Sequence, residues 1–344
     1  MASSNRIATD TPEQPGNGQP GRMGRLLSWL VETGRRAGAR LRTRRARTLM
    51  LIALVGAVLV SLGWTVHSNW EMLVSYDWQF DLRYLGVSFV CYSAALFLSI
   101  LTWHAIIRCL AGLTDFKLNA RVYLYSAIAK RLPGVVWYIA SRLYMYQQEG
   151  IAKTVTSTGL VLETAMMIVA GMAVYLGSLL LGQQGTLDGT SLWLWLGLAP
   201  LLVVMIQPSL LVRAINAVLA RLGRSRLEMQ VRRQDSLLWV GLYAANWVAG
   251  GLSLYFLTLA IHPLPAAALF DVVGTVALSG ALSLIAFFVP GGWGIREVSL
   301  TLALRPYLPL PLALAVPLLF RLWLVLGEIF WVGVSAALSP KSGH

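Results

Sequence analysis

Long apolar runs recur along the 344 residues, at Thr48–Val66, Tyr84–Ile107, Thr154–Leu181, Ser191–Gln207, Ser236–Ile261 and Leu310–Leu338. Most reach the roughly 20 residues that a helix needs to cross a hydrocarbon core. Six membrane-spanning helices are therefore expected. Two further apolar stretches, Val122–Tyr146 and Ala266–Arg305, are interrupted, the first at Lys130-Arg131-Leu132-Pro133-Gly134 and the second at Pro290-Gly291-Gly292. A helix cannot pass through Pro-Gly without losing backbone hydrogen bonds, and hydrocarbon holds no water to replace them, so such breaks survive only where protein or an aqueous cavity covers them. Each stretch is expected to enter the membrane and return on the same side, as a re-entrant hairpin.

Composition strengthens this picture. Hydrophobic residues make up 57% of the chain and charged residues only 12%, against roughly a quarter charged in an ordinary soluble domain. The expected fold is all-α and polytopic. Residues 1–21, rich in Pro, Gly, Ser, Asn and Gln, cannot bury enough apolar surface to offset their ordering entropy and are expected to be a disordered tail. Residues 22–47 carry nine arginines against Glu32 and form a basic juxtamembrane segment, and residues 48–339 form the transmembrane domain. The first apolar run starts too late for a cleaved signal peptide and should remain as an anchor. The net charge of +13 raises nucleic-acid binding, but the surplus arginines hug the membrane and no recognition fold accompanies them, so no nucleic-acid partner is expected.

Loop charges set the orientation. An arginine-rich N-terminus stays in the cytoplasm, which puts the loop with Glu71, Asp77 and Asp81 outside and the stretch from Arg108 to Lys153 inside. The loop with Asp188 is then outside, and the six arginines between Arg213 and Asp235 are inside. If the second broken stretch enters from outside, the last span ends in the cytoplasm and both termini lie there. Each half then consists of two crossings, a broken hairpin and a third crossing, with the second half inverted. Transporters place substrate sites near the midplane at the interface of such repeats, where half-helix ends face charged groups.

Charges inside this apolar background are the candidate site. Arg321 and Glu328 lie seven positions apart on one face of the last span, and each ionised group there costs about 2.5–3.5 kcal/mol or more. Glu163 poses the same problem, with Arg142 or Lys130 as possible partners. Arg296 and Glu297 directly follow the second break, where free backbone amides and a new helix dipole favour an anion such as phosphate. For all of these, internal pairing and headgroup binding are both open readings. The binding set is therefore Lys130, Arg131, Pro133, Gly134, Arg142, Glu163, Pro290, Gly291, Gly292, Arg296, Glu297, Arg321 and Glu328. The four histidines are scattered without ligand spacing, so no metal or other cofactor is expected. Tryptophans such as Trp193, Trp195, Trp323 and Trp331 read as interface anchors, and Gly171, Gly177, Gly250, Gly251, Gly274 and Gly280 as sites of close helix packing.

The run Pro290-Gly291-Gly292-Trp293-Gly294-Ile295-Arg296-Glu297, followed by Leu318-Leu319-Phe320-Arg321, resembles the signature of the lysylphosphatidylglycerol synthase transmembrane-domain family. Arg131-Leu132-Pro133-Gly134, Arg142, Gly150 and Glu163 fit the other half of that pattern. The resemblance implies a flippase-like domain that translocates or presents envelope lipids in a bacterial-type cytoplasmic membrane. The fused members of the family carry a soluble aminoacyl-transfer domain after the membrane part. Here the sequence runs only to His344, so a stand-alone, non-enzymatic member is expected. The expected ligand is an anionic or polyprenyl-linked lipid, held by basic residues between the two hairpins. The alternative is a membrane scaffold subunit for an enzyme that assembles a glycolipid or polysaccharide.

Overall fold

The computed structural model describes residues 71, 78–130, 136–181, 231–285 and 295–338. Within them lie eight helices and no strand. They are α1 (Leu82–Ala111), α2 (Phe116–Ala129), α3 (Val136–Gln148), α4 (Lys153–Leu181), α5 (Arg233–Leu259), α6 (Ala268–Ile285), α7 (Ile295–Leu304) and α8 (Leu310–Ala337). Five of them, α1, α4, α5, α6 and α8, are long and apolar enough to cross a membrane. The chain is a multi-pass membrane protein. The expected tail, the basic segment, the spans at Thr48–Val66 and Ser191–Gln207, and both Pro-Gly breaks lie outside the described residues.

Helix ends follow local chemistry. The carboxylate of Asp81 accepts from the backbone N–H of Arg83 at 2.8 Å and starts α1, and Gly112, with φ of 67°, ends it in the left-handed region. Asp115 starts α2 by accepting from Leu118 N–H at 3.1 Å. Such caps satisfy amides that the first turn leaves without partners.

A pattern of long, short, short and long helices occurs twice, as α1–α4 and α5–α8. Side-chain contacts give the relative directions. Ser88 Oγ donates to the Ser253 carbonyl at 2.7 Å, Ser99 Oγ to Asn246 Oδ1 at 2.9 Å, and Asp81 N–H to the Ala260 carbonyl at 2.9 Å. Helices α1 and α5 are therefore antiparallel. Phe89 meets Trp323 edge-on, Tyr92 covers Gly327, and Trp331 Nε1 donates to Ser93 Oγ at 3.0 Å, so α8 runs parallel to α1.

The short helices form antiparallel pairs. Asn119 meets Tyr146, Ser126 meets Arg142 and Lys130 meets Tyr138, in reversed order along α2 and α3. In the second pair, the segment after α7 returns to the start of α6, where Tyr307 bonds Asp271. Helix α6 is 18 residues long, about 27 Å at 1.5 Å per residue. The first helix of the second pair, expected as one arm of a re-entrant hairpin, is therefore itself nearly long enough for a full crossing.

Glycines allow the closest helix contacts. A Cβ on Gly251 would meet Val273 Cα at 2.6 Å, one on Gly280 the Trp247 ring at 2.1 Å, and one on Gly274 the Ser178 hydroxyl at 1.7 Å. Gly171 sits 3.0 Å from the Ala277 carbonyl on the same measure, whereas Gly177 and Gly250 face open space. Close packing thus accounts for four of the six expected glycines.

Several tryptophans are interior residues rather than interface anchors. Trp103, Trp239 and Trp247 are buried. Trp103 Nε1 donates to Tyr146 Oη at 2.8 Å and Trp247 Nε1 to the Met167 carbonyl at 2.9 Å. A buried indole is tolerated where its N–H finds a partner.

Candidate functional site

The centre of the first half is an ion pair between Arg142 on α3 and Glu163 on α4. Their side chains are only 1% and 3% exposed. The guanidinium donates through Nη1 to Glu163 Oε2, through Nη2 to Oε1 at 3.5 Å, and through Nε to Ser126 Oγ at 2.8 Å. Tyr138, one turn before Arg142 on the same face of α3, donates its hydroxyl to Glu163 at 2.9 Å. The guanidinium carbon lies 4.0 Å from the centre of the Trp103 ring and 4.6 Å from those of Tyr123 and Tyr138. A charge buried this deeply is tolerable only when paired and hydrogen-bonded, and the three ring faces add cation–π attraction. In this conformation no part of Arg142 is open to a headgroup.

The second half builds its pair with the charges exchanged. Glu297, on the returning helix α7, accepts from Arg321, on the following span α8, at 2.7 Å. Glu163 and Arg321 each sit about three turns into their long helix. Here the side chains of Arg321 and Glu297 are 16% and 22% exposed. A cavity of about 20 Å³ adjoins them, lined also by Arg296, Pro317 and Leu324. That volume admits about one water. Pro317 lies inside α8 and has no N–H to give the Ala313 carbonyl, so the helix is weakened beside Arg321. The guanidinium of Arg296 packs over Phe320 at 5.5 Å.

Each antiparallel pair is tied by a tyrosine bonded to a polar residue one turn into its first helix. Tyr146 Oη donates to Asn119 Oδ1 at 2.6 Å, and the Asn119 amide meets His104 Nδ1 at 2.8 Å. Tyr307 Oη donates to the Asp271 carboxylate. Tyr307 lies in the turn between α7 and α8, outside the spanning helices. Burial and the bond to Asp271 push its hydroxyl up to about 12.

Of the residues expected from the sequence, Arg142 and Glu163 come together, as do Arg296, Glu297 and Arg321. Lys130 is exposed at the end of α2, with its ammonium 5.4 Å from the Tyr138 ring centre. Glu328 is half-buried on α8. Arg131, Pro133, Gly134, Pro290, Gly291 and Gly292 lie outside the described residues. Sequence reasoning missed Ser126, Tyr123, Trp103, Asn119, Tyr146, Asp271, Tyr307 and Pro317 as parts of the site. Two of these had a signal: Asp271 is an acid in an apolar stretch, and Pro317 interrupts the last span only four positions before Arg321.

No curated protein and no solved structure matches the chain. The model of the lysylphosphatidylglycerol synthase transmembrane region matches residues 46–327, which take in the whole of α1 to α7, both ion pairs and both hairpin ties. The chain belongs to the lysylphosphatidylglycerol synthase transmembrane-region family.

Proposed function

We propose that this chain is a flippase-like transporter that moves or presents an anionic or polyprenyl-linked envelope lipid across the cytoplasmic membrane, with both termini in the cytoplasm. It carries out no covalent chemistry. The reading rests on one observation above all: a partly open ion pair, Glu297–Arg321, beside a cavity and a second arginine, Arg296. Two guanidiniums and one carboxylate line that cavity, a composition that suits a phosphate-bearing headgroup. The family's link to a phospholipid supports the same ligand class.

The mechanism follows from the charges. A cavity with room for about one water cannot hold a headgroup, so this is a resting arrangement. As the phosphate arrives it competes with Glu297 for Arg321, and α7 and α8 part at the point where Pro317 has already weakened the helix. The acyl chains stay in lipid while the headgroup crosses between the hairpins, exchanging one set of charge-assisted hydrogen bonds for another.

Liposomes containing the purified protein and a fluorescent phosphatidylglycerol test this. Accelerated exchange of the probe between leaflets, lost in Arg321→Ala, is the expected outcome. Inactivity combined with stable co-purification of a glycosyltransferase would instead support a scaffold.

A further inference from the structure

The two ion pairs occupy corresponding places in the repeated order of helices. In each, a returning hairpin helix carries one charge and the following span carries its partner. The polarity is exchanged, arginine then glutamate in the first half and glutamate then arginine in the second. Their surroundings differ sharply, 1% and 3% exposed against 16% and 22%. One pair is sealed under three aromatic rings, and the other borders a cavity.

The packing also crosses between halves. Helix α4, which carries Glu163, packs on α6, the partner in the hairpin of the helix that carries Glu297; Gly171 and Gly274 make that contact close. Helix α8, which carries Arg321, packs on α2, the hairpin partner of the helix that carries Arg142. The Tyr146–Asn119 and Tyr307–Asp271 hydrogen bonds tie the two arms of each hairpin together. A displacement that parts α8 from α7 therefore presses on the first hairpin, and one that parts α4 from α3 presses on the second. Close-packed interiors switch between discrete arrangements rather than deforming smoothly.

We infer that Arg142–Glu163 is a second, closed headgroup station equivalent to Glu297–Arg321, and that the two stations open in alternation. Arg142 holds the phosphate when the first station is open, and Arg321 holds it when the second is open. This rests on the transport reading above but makes a separate claim, that exposure of the two pairs is reciprocal.

Thiol labelling of the full-length protein in liposomes tests it. With Cys91 and Cys109 replaced by Ala, a single cysteine is placed at Val122, buried beside Trp103 and Tyr146, or at Leu324, which lines the cavity. A membrane-impermeant maleimide, applied to both faces, reports exposure. In the unmodified background Val122→Cys is protected, and Leu324→Cys, which the reagent reaches only when the second station opens, is labelled slowly. Adding Glu163→Gln removes the charge that seals the first station, and labelling at Val122→Cys should rise several-fold while labelling at Leu324→Cys falls several-fold. Glu163→Asp keeps the charge on a shorter arm and gives a smaller change in the same directions, so the test stays readable if Glu163→Gln does not fold. A rise at Val122→Cys without a fall at Leu324→Cys, or no change at either, overturns the alternation. If Arg321→Ala still stops phosphatidylglycerol exchange in that case, the transport reading stands without it; if Arg321→Ala leaves exchange intact, the transport reading fails independently of the labelling.

Discussion

Glu297 accepts a 2.7 Å hydrogen bond from Arg321, and this pair reverses the polarity of Arg142 and Glu163 while keeping its place between a returning hairpin helix and the next span. The two pairs differ in burial, and the consequences of breaking them differ accordingly.

Breaking the first pair on one side strands a buried charge. Glu163→Gln should cost about 3–5 kcal/mol, visible as a large drop in unfolding temperature in detergent. Replacing both partners by apolar residues, Arg142→Met with Glu163→Leu, should recover most of that loss, because no uncompensated charge remains. Equal destabilisation in the single and double variants would contradict a sealed pair.

The second pair contributes less to stability than the first. Glu297→Gln should cost less than Glu163→Gln, because Arg321 borders a cavity with room for about one water. Its larger effect belongs in the transport assay, where exchange should fall by an order of magnitude or more while the unfolding temperature falls less than in Glu163→Gln. A variant as destabilised as Glu163→Gln would place Glu297 in the structural frame instead.

The hairpin ties can be tested one hydroxyl at a time. Tyr307→Phe leaves the Asp271 carboxylate without its donor, and Tyr146→Phe removes the partner of both Asn119 and Trp103. Each should cost about 1–3 kcal/mol. Amide hydrogen exchange should speed up in α7 for Tyr307→Phe and in α3 for Tyr146→Phe, without spreading to the other hairpin.

Two glycine positions should behave oppositely. Gly251→Ala drives a methyl against the backbone of Val273 and should cost about 1–3 kcal/mol. Gly177→Ala meets nothing within 4 Å and should stabilise α4 by up to about 1 kcal/mol, since alanine loses less backbone freedom in a helix. Thermal unfolding of the two variants separates these outcomes.

The long spans α1, α4, α5 and α8 are legible in the sequence because twenty predominantly apolar residues have few alternatives to a crossing helix. Arg142, Glu163, Glu297 and Arg321 are legible for a related reason, since an ionised group in such a background demands a partner. The choice of partner is not legible. Arg321 and Glu328 share a face of α8 by spacing, yet Arg321 bonds Glu297 on another helix, a contact set by tertiary packing. Trp103 and Tyr146 look like ordinary membrane aromatics in the sequence, and only the folded hairpin shows that one covers a guanidinium and the other ties down Asn119. The apolar arm before Pro290 is legible, but the end of α6 is not, because the apolar run continues toward Pro290 and periodicity alone does not mark where the helix stops.

Headgroup exchange in liposomes tests the central claim most directly. Vesicles of phosphatidylethanolamine and phosphatidylglycerol, doped with a fluorescent phosphatidylglycerol and treated with an impermeant quencher, should lose more than half of their signal when they contain the wild-type protein. Only the outer-leaflet half should be lost when they contain Arg321→Ala. Equal quenching with wild type, Arg321→Ala and protein-free vesicles would contradict the account.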